Sequence, residues 1–193
     1  SKVGGASEMA FLRAEAERLG LVLVATAQSY SSLAAAAKGT VLEGQKIRDV
    51  FSRVSEASMV LGLSTEQTQG ALKALEQSLS KGTVASEELR GQLSERIPGS
   101  FSIAARAMGV TTAALQDLLE AGKVDSVEFL VKFGEELERT FGSGLAAALE
   151  SPRAQLNRLK NDIAEVQAVL GAGFLQGFLS GIAGLRGALT DQE

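Results

Sequence analysis

Glycine punctuation sets the tightest limit on what this chain can fold into. Gly39, Gly62, Gly82, Gly109, Gly122 and Gly142 each close a run in which apolar residues recur at three- and four-residue steps, the spacing of one helical face. Helices commonly end this way, because the residue after the last turn takes a left-handed conformation that side chains resist. Only two prolines occur, Pro98 and Pro152. No convincing stretch shows the two-residue alternation of a strand. The expected fold is all-α, a compact multi-helix bundle of roughly seven to nine helices joined by glycine-capped turns, with a longer C-terminal helical part.

The first helix is expected over 7–38, with Leu12, Ala16, Leu19, Leu23, Ala27, Tyr30 and Ala34 on one face and Gly20 weakening its middle. Thr40 and Glu43 have the spacing of a capping box, followed by the stripe Ile47, Val50, Phe51, Val54, Ala57 and Leu61. Ser64 and Gln67 repeat the scheme ahead of Leu72, Leu75 and Leu79. A short helix is expected over 101–108, and another behind Thr111 or Thr112 with Leu115, Leu118 and Leu119. The next carries Phe129, Leu130, Phe133, Leu137 and Phe141. Ser151 and Pro152 suit the cap and first position of a further helix.

Two corners repeat. The segments 79–89 and 119–129 share Leu-x-x-Gly-x-Val-x-Ser-x-Glu-apolar at an offset of 40 residues. Gly82 and Gly122 supply the C-caps, Val84 and Val124 pack back, Ser86 and Ser126 are the expected next N-caps, and Glu88 and Glu128 sit where the helix dipole favours negative charge. Two copies make two similar corners and not a solenoid.

Absent residue types restrict the chemistry. The chain has no His and no Cys, which removes the commonest general base and transition-metal ligand, any thiol nucleophile and any disulfide. No catalytic, cofactor or metal residues are expected. Aromatics are 5% of the residues, too few for an aromatic-lined ligand pocket. With a net charge of -4 and a pI of about 5.1, nucleic-acid binding is not expected. The chain opens at Ser1 and not Met, which reads as a trimmed, processed or partial chain. Leu21-Val22-Leu23-Val24 is too short and too far in for a signal peptide.

Several motifs have a functional and a plainer reading. Glu87-Glu88 and Glu135-Glu136 could be paired carboxylates, but helix neighbours point about 100 degrees apart, so surface charge is expected. Glu150-Ser151, with 171–176 downstream, faintly resembles lytic transglycosylases, though the gap is long and the usual sequel is missing. Residues 103–111 look like the turn of a DNA-binding helix-turn-helix. The following helix, however, carries Asp117 and Glu120 and no Lys or Arg, which phosphates would repel. Leu156, Leu159, Ile163, Val166 and Leu170 form a seam two heptads long, short for a coiled coil. Gly173, Gly177 and Gly181 form a ladder suited to close helix approach within the Gly-rich apolar stretch 171–189. That stretch nears membrane length, but Arg186 interrupts it, so helix packing is favoured over membrane contact. The seam and the ladder are the candidate helix-association residues. A division is expected between a compact part, 1–142, and a helical extension, 143–193, with the heptad helix at 152–170.

The stretch 61–141 closely resembles the N-terminal domain of bacteriophage tail tape measure proteins. The matching residues include Lys81, Gly82, Val84, Ser86, Glu88, Leu89, Gln92, Leu93, Arg96, Pro98, Gly99, Ala105 and Gly109. The likeness covers about 33–160. It implies a structural part of a virion tail, assembled in the bacterial host cytoplasm, with no enzymatic activity and no cofactor. Tape measure proteins occupy the tail tube during assembly, template its length, and leave when DNA is ejected. The implied partners are other tail proteins (tube, tail tip, assembly chaperone) and further copies of the chain.

Overall fold

The computed structural model of the protein describes residues 2–170. Among these it contains nine α-helices: α1 (Lys2–Leu19), α2 (Leu23–Ala37), α3 (Gln45–Val60), α4 (Thr65–Lys81), α5 (Ser100–Ala107), α6 (Thr112–Glu120), α7 (Ser126–Phe141), α8 (Leu145–Leu149) and α9 (Pro152–Leu170). A π-helical segment, Glu87–Leu93, lies between α4 and α5, and a 3-10 turn, Gly142–Gly144, links α7 to α8. The all-α expectation holds.

The core forms where the apolar stripes meet. α3 packs on α7, α2 on α4, and α5 on α7. From α3 come Ile47, Val50, Phe51 and Val54, and from α7 Phe129, Leu130, Phe133 and Leu137, all buried. The rings of Phe11, Tyr30 and Phe51 meet with centroids 5.2 to 6.3 Å apart and join α1, α2 and α3. Tyr30 donates to Glu8 Oε2 at 2.5 Å, and Arg48 grips the same carboxylate at 2.6 Å. The α1–α2 hairpin is thus tied down by tilted and edge-on ring contacts and by charge.

Local signals set most boundaries. Ser64 accepts from the Gln67 amide at 3.1 Å while the Gln67 side chain accepts from the Ser64 amide at 2.8 Å, the reciprocal box expected there. The N-cap of α6 is Thr111, which accepts from Ala114 at 3.1 Å.

Three expectations need correction. The helix expected over 7–38 is two: Gly20 stands at φ +64, and a Schellman pair closes α1, with Leu21 donating to Ala16 at 2.9 Å and Gly20 to Glu17 at 3.4 Å. Thr40 does not open α3. Glu43 instead accepts from the Gly39 amide at 2.8 Å, and the helix starts at Gln45. The second corner is capped by Asp125, which accepts from Glu128 at 2.8 Å, so Ser126 lies inside the helix and is buried.

The two similar corners touch. Val84 donates to the Val124 carbonyl at 3.0 Å and Ser126 to the Gly82 carbonyl at 3.2 Å, an isolated antiparallel bridge between Thr83 and Asp125. In the first copy Ala85 stands where the second has Asp125, and a methyl cannot cap. The Glu88 carboxylate accepts from the Ala85 amide at 3.2 Å, and the segment 87–93 winds as a π-helix.

Candidate assembly surface

The resemblance residues build the scaffold around these corners. Val84, Leu89, Leu93 and Ala105 are buried in the core, and Gly82, Gly99 and Gly109 have positive φ. Pro98 is exposed at the loop into α5. Arg96 lies over Gly70, where a Cβ would sit 2.1 Å from its Nε, and donates to the Gln92 carbonyl at 2.5 Å. Ser86 Oγ makes no cap and accepts from Gln116 at 3.3 Å.

The paired glutamates divide. Glu87 and Glu135 are exposed, but Glu88 and Glu136 are buried, which corrects the surface-charge reading for the second of each pair. Glu136 is clamped by Arg106 at 2.8 Å and Arg139 at 2.7 Å. Glu88 is paired with Lys81. Burial pushes the Glu88 carboxyl up, but hydrogen bonds from Lys81 and from main-chain amides outweigh it and hold it below the usual carboxylate range. Both acids are satisfied ion pairs.

The rival chemistries find little support in the geometry. Glu150 is exposed at the end of α8, and its downstream partner 171–176 lies outside the described residues. On α6, Leu115 and Leu119 are buried while Asp117 and Glu120 face solvent, an acidic outer face. A cleft among α2, α3, α4 and α9 encloses about 30 Å³ beside Ser55, Met59, Leu72 and Asn157, room for one or two waters. Among the described residues no helix is long and apolar enough to cross a membrane.

The unusual surface is α9. An amphipathic helix normally turns its apolar face to the core, and α9 does the reverse. Over 153–161 its polar residues dock on the body while Leu156 and Leu159 face out, and every residue of 162–169 is exposed. Leu156 is 51% exposed, Leu159 53%, Ile163 41% and Val166 40%. Leu170 closes the helix, and Gly173, Gly177 and Gly181 lie outside the described residues.

Side-chain bonds to backbone fix this orientation. Arg158 donates to the carbonyls of Glu17 at 2.8 Å and Arg18 at 2.9 Å, placing a cation at the negative end of α1. Asn157 donates to Gly20 at 2.9 Å. Asn161 donates to Leu21 at 2.7 Å and accepts from the Leu23 amide at 3.1 Å. Arg153 reaches the carbonyls of Gly62 at 2.7 Å and Leu63 at 2.5 Å beyond α3. The buried apolar contribution of α9 is one methyl, Ala154, against Leu19 and Met59. A Cβ at Gly20 would sit 2.5 Å from the Ala154 Cα, so the helices meet where a glycine leaves room.

A family model described as "Tape measure protein" matches residues 1–171. Over 127 residues the chain is 32% identical to the "Probable tape measure protein" of Salmonella phage Felix O1 (isolate Felix O1-VT1), covering 66% of this chain and 17% of that protein. The chain therefore spans about a sixth of the length of this relative. No solved structure matches.

Proposed function

The chain belongs to the tape measure protein family, and on that premise we propose that it is a non-catalytic helical module acting in phage tail assembly and length determination through protein–protein contacts. The observation that carries the reading is the outward apolar seam of α9. Four large aliphatic side chains in a row, each two-fifths exposed or more, are an unfavourable surface for an isolated protein and an apt one for a helical partner.

The occupant we assign to the seam is the same seam of a second copy. Its successive positions are Leu, Leu, Ile and Val with no polar interruption, so identical helices present matching layers. On this reading residues 1–142 form a compact head and 143–193 a helical extension. The head is a poor ruler: a helix measures about 1.5 Å per residue only while it runs on, and glycine corners fold this one back. The measuring length lies outside it. The head is left free to meet tube, tail-tip or chaperone proteins in the host cytoplasm and in the virion tail.

Light scattering on the full chain tests the assignment. The unaltered protein is expected to self-associate with rising concentration, and Leu159→Lys with Ile163→Lys to be monomeric and equally helical. A chain that is monomeric at every concentration, or one whose association ignores the two lysines, overturns it.

A further inference from the structure

The side chains of α9 hold backbone atoms that a continuous helix would hold for itself, and from this we infer that α9 is the lock on a two-position joint at Gly20. In an unbroken helix the carbonyls of Glu17, Arg18, Gly20 and Leu21 accept from the amides four residues on, and the Leu23 amide donates to Leu19. In the docked protein Arg158, Asn157 and Asn161 bond those same groups, the Glu17 carbonyl being shared between Arg158 and the Gly20 amide. α9 therefore competes directly for the Leu23 amide and stabilises the other four groups in the broken arrangement.

The sequence across the joint is written for both positions. Residues 20–22 alone separate α1 from α2. Leu12, Ala16, Leu19, Leu23, Ala27, Tyr30 and Ala34 pass through the break without losing helical phase. Gly20 takes the left-handed conformation at φ +64 and is the residue type that takes the right-handed one as well. Closing the joint turns α1 and α2 from a hairpin into one helix over 2–37, about 54 Å long at 1.5 Å per residue. The hairpin is the resting position, because Phe11, Tyr30, Phe51 and the Glu8–Arg48 pair hold it. Withdrawal of α9 removes the competing hydrogen bonds and the Ala154 contact at Gly20 together. A partner drawing α9 away by its seam would do this, but the joint does not depend on that reading, and α9 can be unlocked by substitution alone.

The chain has no cysteine, so paired spin labels can be placed uniquely at Ala6→Cys on α1 and Gln28→Cys on α2, both exposed. The unaltered protein should give one short separation. Replacing Asn157, Arg158 and Asn161 together by Ala should add a population near 33 Å, the span of 22 helical residues at about 1.5 Å each. Gly20→Ala should do the same through a different cause, since alanine favours the right-handed helix and its methyl excludes Ala154. Far-UV circular dichroism should show helix content held or raised in both. The short separation alone in both variants, or a broad distribution with falling helix content, overturns the inference.

Discussion

The amide of Val84 donates to the carbonyl of Val124 at 3.0 Å, so two stretches that repeat one another in sequence meet in space. The bond sits where both valines are buried and just past two left-handed glycines. Each corner turns the chain and then becomes the surface on which the other rests.

Gly82→Ala isolates the conformational part of that corner. Gly82 has φ +79 and a Cβ there would meet nothing within 4 Å, so the cost is backbone strain, about 1–2 kcal/mol. Gly91 also has open space but ordinary φ, and Gly91→Ala should be neutral or stabilising. Denaturant midpoints of the two variants check this. Equal shifts would mean that the handedness of Gly82 does not matter.

Glu88→Ala should destabilise by about 1–3 kcal/mol, because it removes a buried acceptor from the half-buried Ala85 amide and from Lys81. Glu88→Gln keeps an oxygen for that amide and should lose less. Glu87→Ala, at an exposed position, should be close to silent. Chemical denaturation of the three variants ranks them.

The glycine corners, the Ser64 box and the core stripes were legible because each is specified by residues within a few positions of one another. The burial of Glu88 and Glu136 was not. Arg106, a partner of Glu136, comes from another helix, and Lys81, the partner of Glu88, lies seven residues back across the Gly82 corner. Thr40 and Glu43 show the opposite failure: the pattern is local and correct, but Gly44 at φ +86 delays the helix. The docking of α9 was hidden for a deeper reason. Amphipathic reasoning sends the apolar face inward, whereas Asn157, Arg158 and Asn161 find backbone groups exposed by a break more than 130 residues upstream. The seam was read from the sequence as a helix-association surface; the docking of the opposite, polar face on the body was not.

Stability should fall on acidification and stay level through neutrality. Arg48, with Tyr30, holds Glu8 below the ordinary carboxylate value of 4.5, and Lys81 and main-chain amides do the same for Glu88. A group depressed in the folded state contributes stability above its unfolded value, which is lost as pH falls through the folded one. The loss should therefore set in below about pH 4.5. At the other end, burial and the neighbouring Glu8 push Tyr30 up to about 12 from 10.0. Its contribution is full below the unfolded value and disappears as pH rises from about 10 to about 12. With no His or Cys in the chain, no side chain titrates at its ordinary value between these ranges. Thermal melts from pH 3 to 12 should trace a plateau with two falling edges, and Glu8→Gln should soften the acid edge. A step near pH 6.5 would contradict this account.

Ser55→Ala should raise stability, an unusual expectation for a change in the centre of a core helix. The Ser55 hydroxyl is fully buried and has no hydrogen-bond partner in the protein, whereas Ser58, one turn on, donates to the Val54 carbonyl at 2.8 Å. An unmade hydrogen bond on a buried hydroxyl costs about 1–3 kcal/mol. Deleting the oxygen removes that penalty and adds helix propensity, set against a slight enlargement of the neighbouring 30 Å³ cleft. The net gain should be about 1 kcal/mol, read as a rise in Tm, while Ser58→Ala should give no rise. A lower Tm for Ser55→Ala would mean that the cleft holds water bound to this hydroxyl, and that the small cavity is part of the fold.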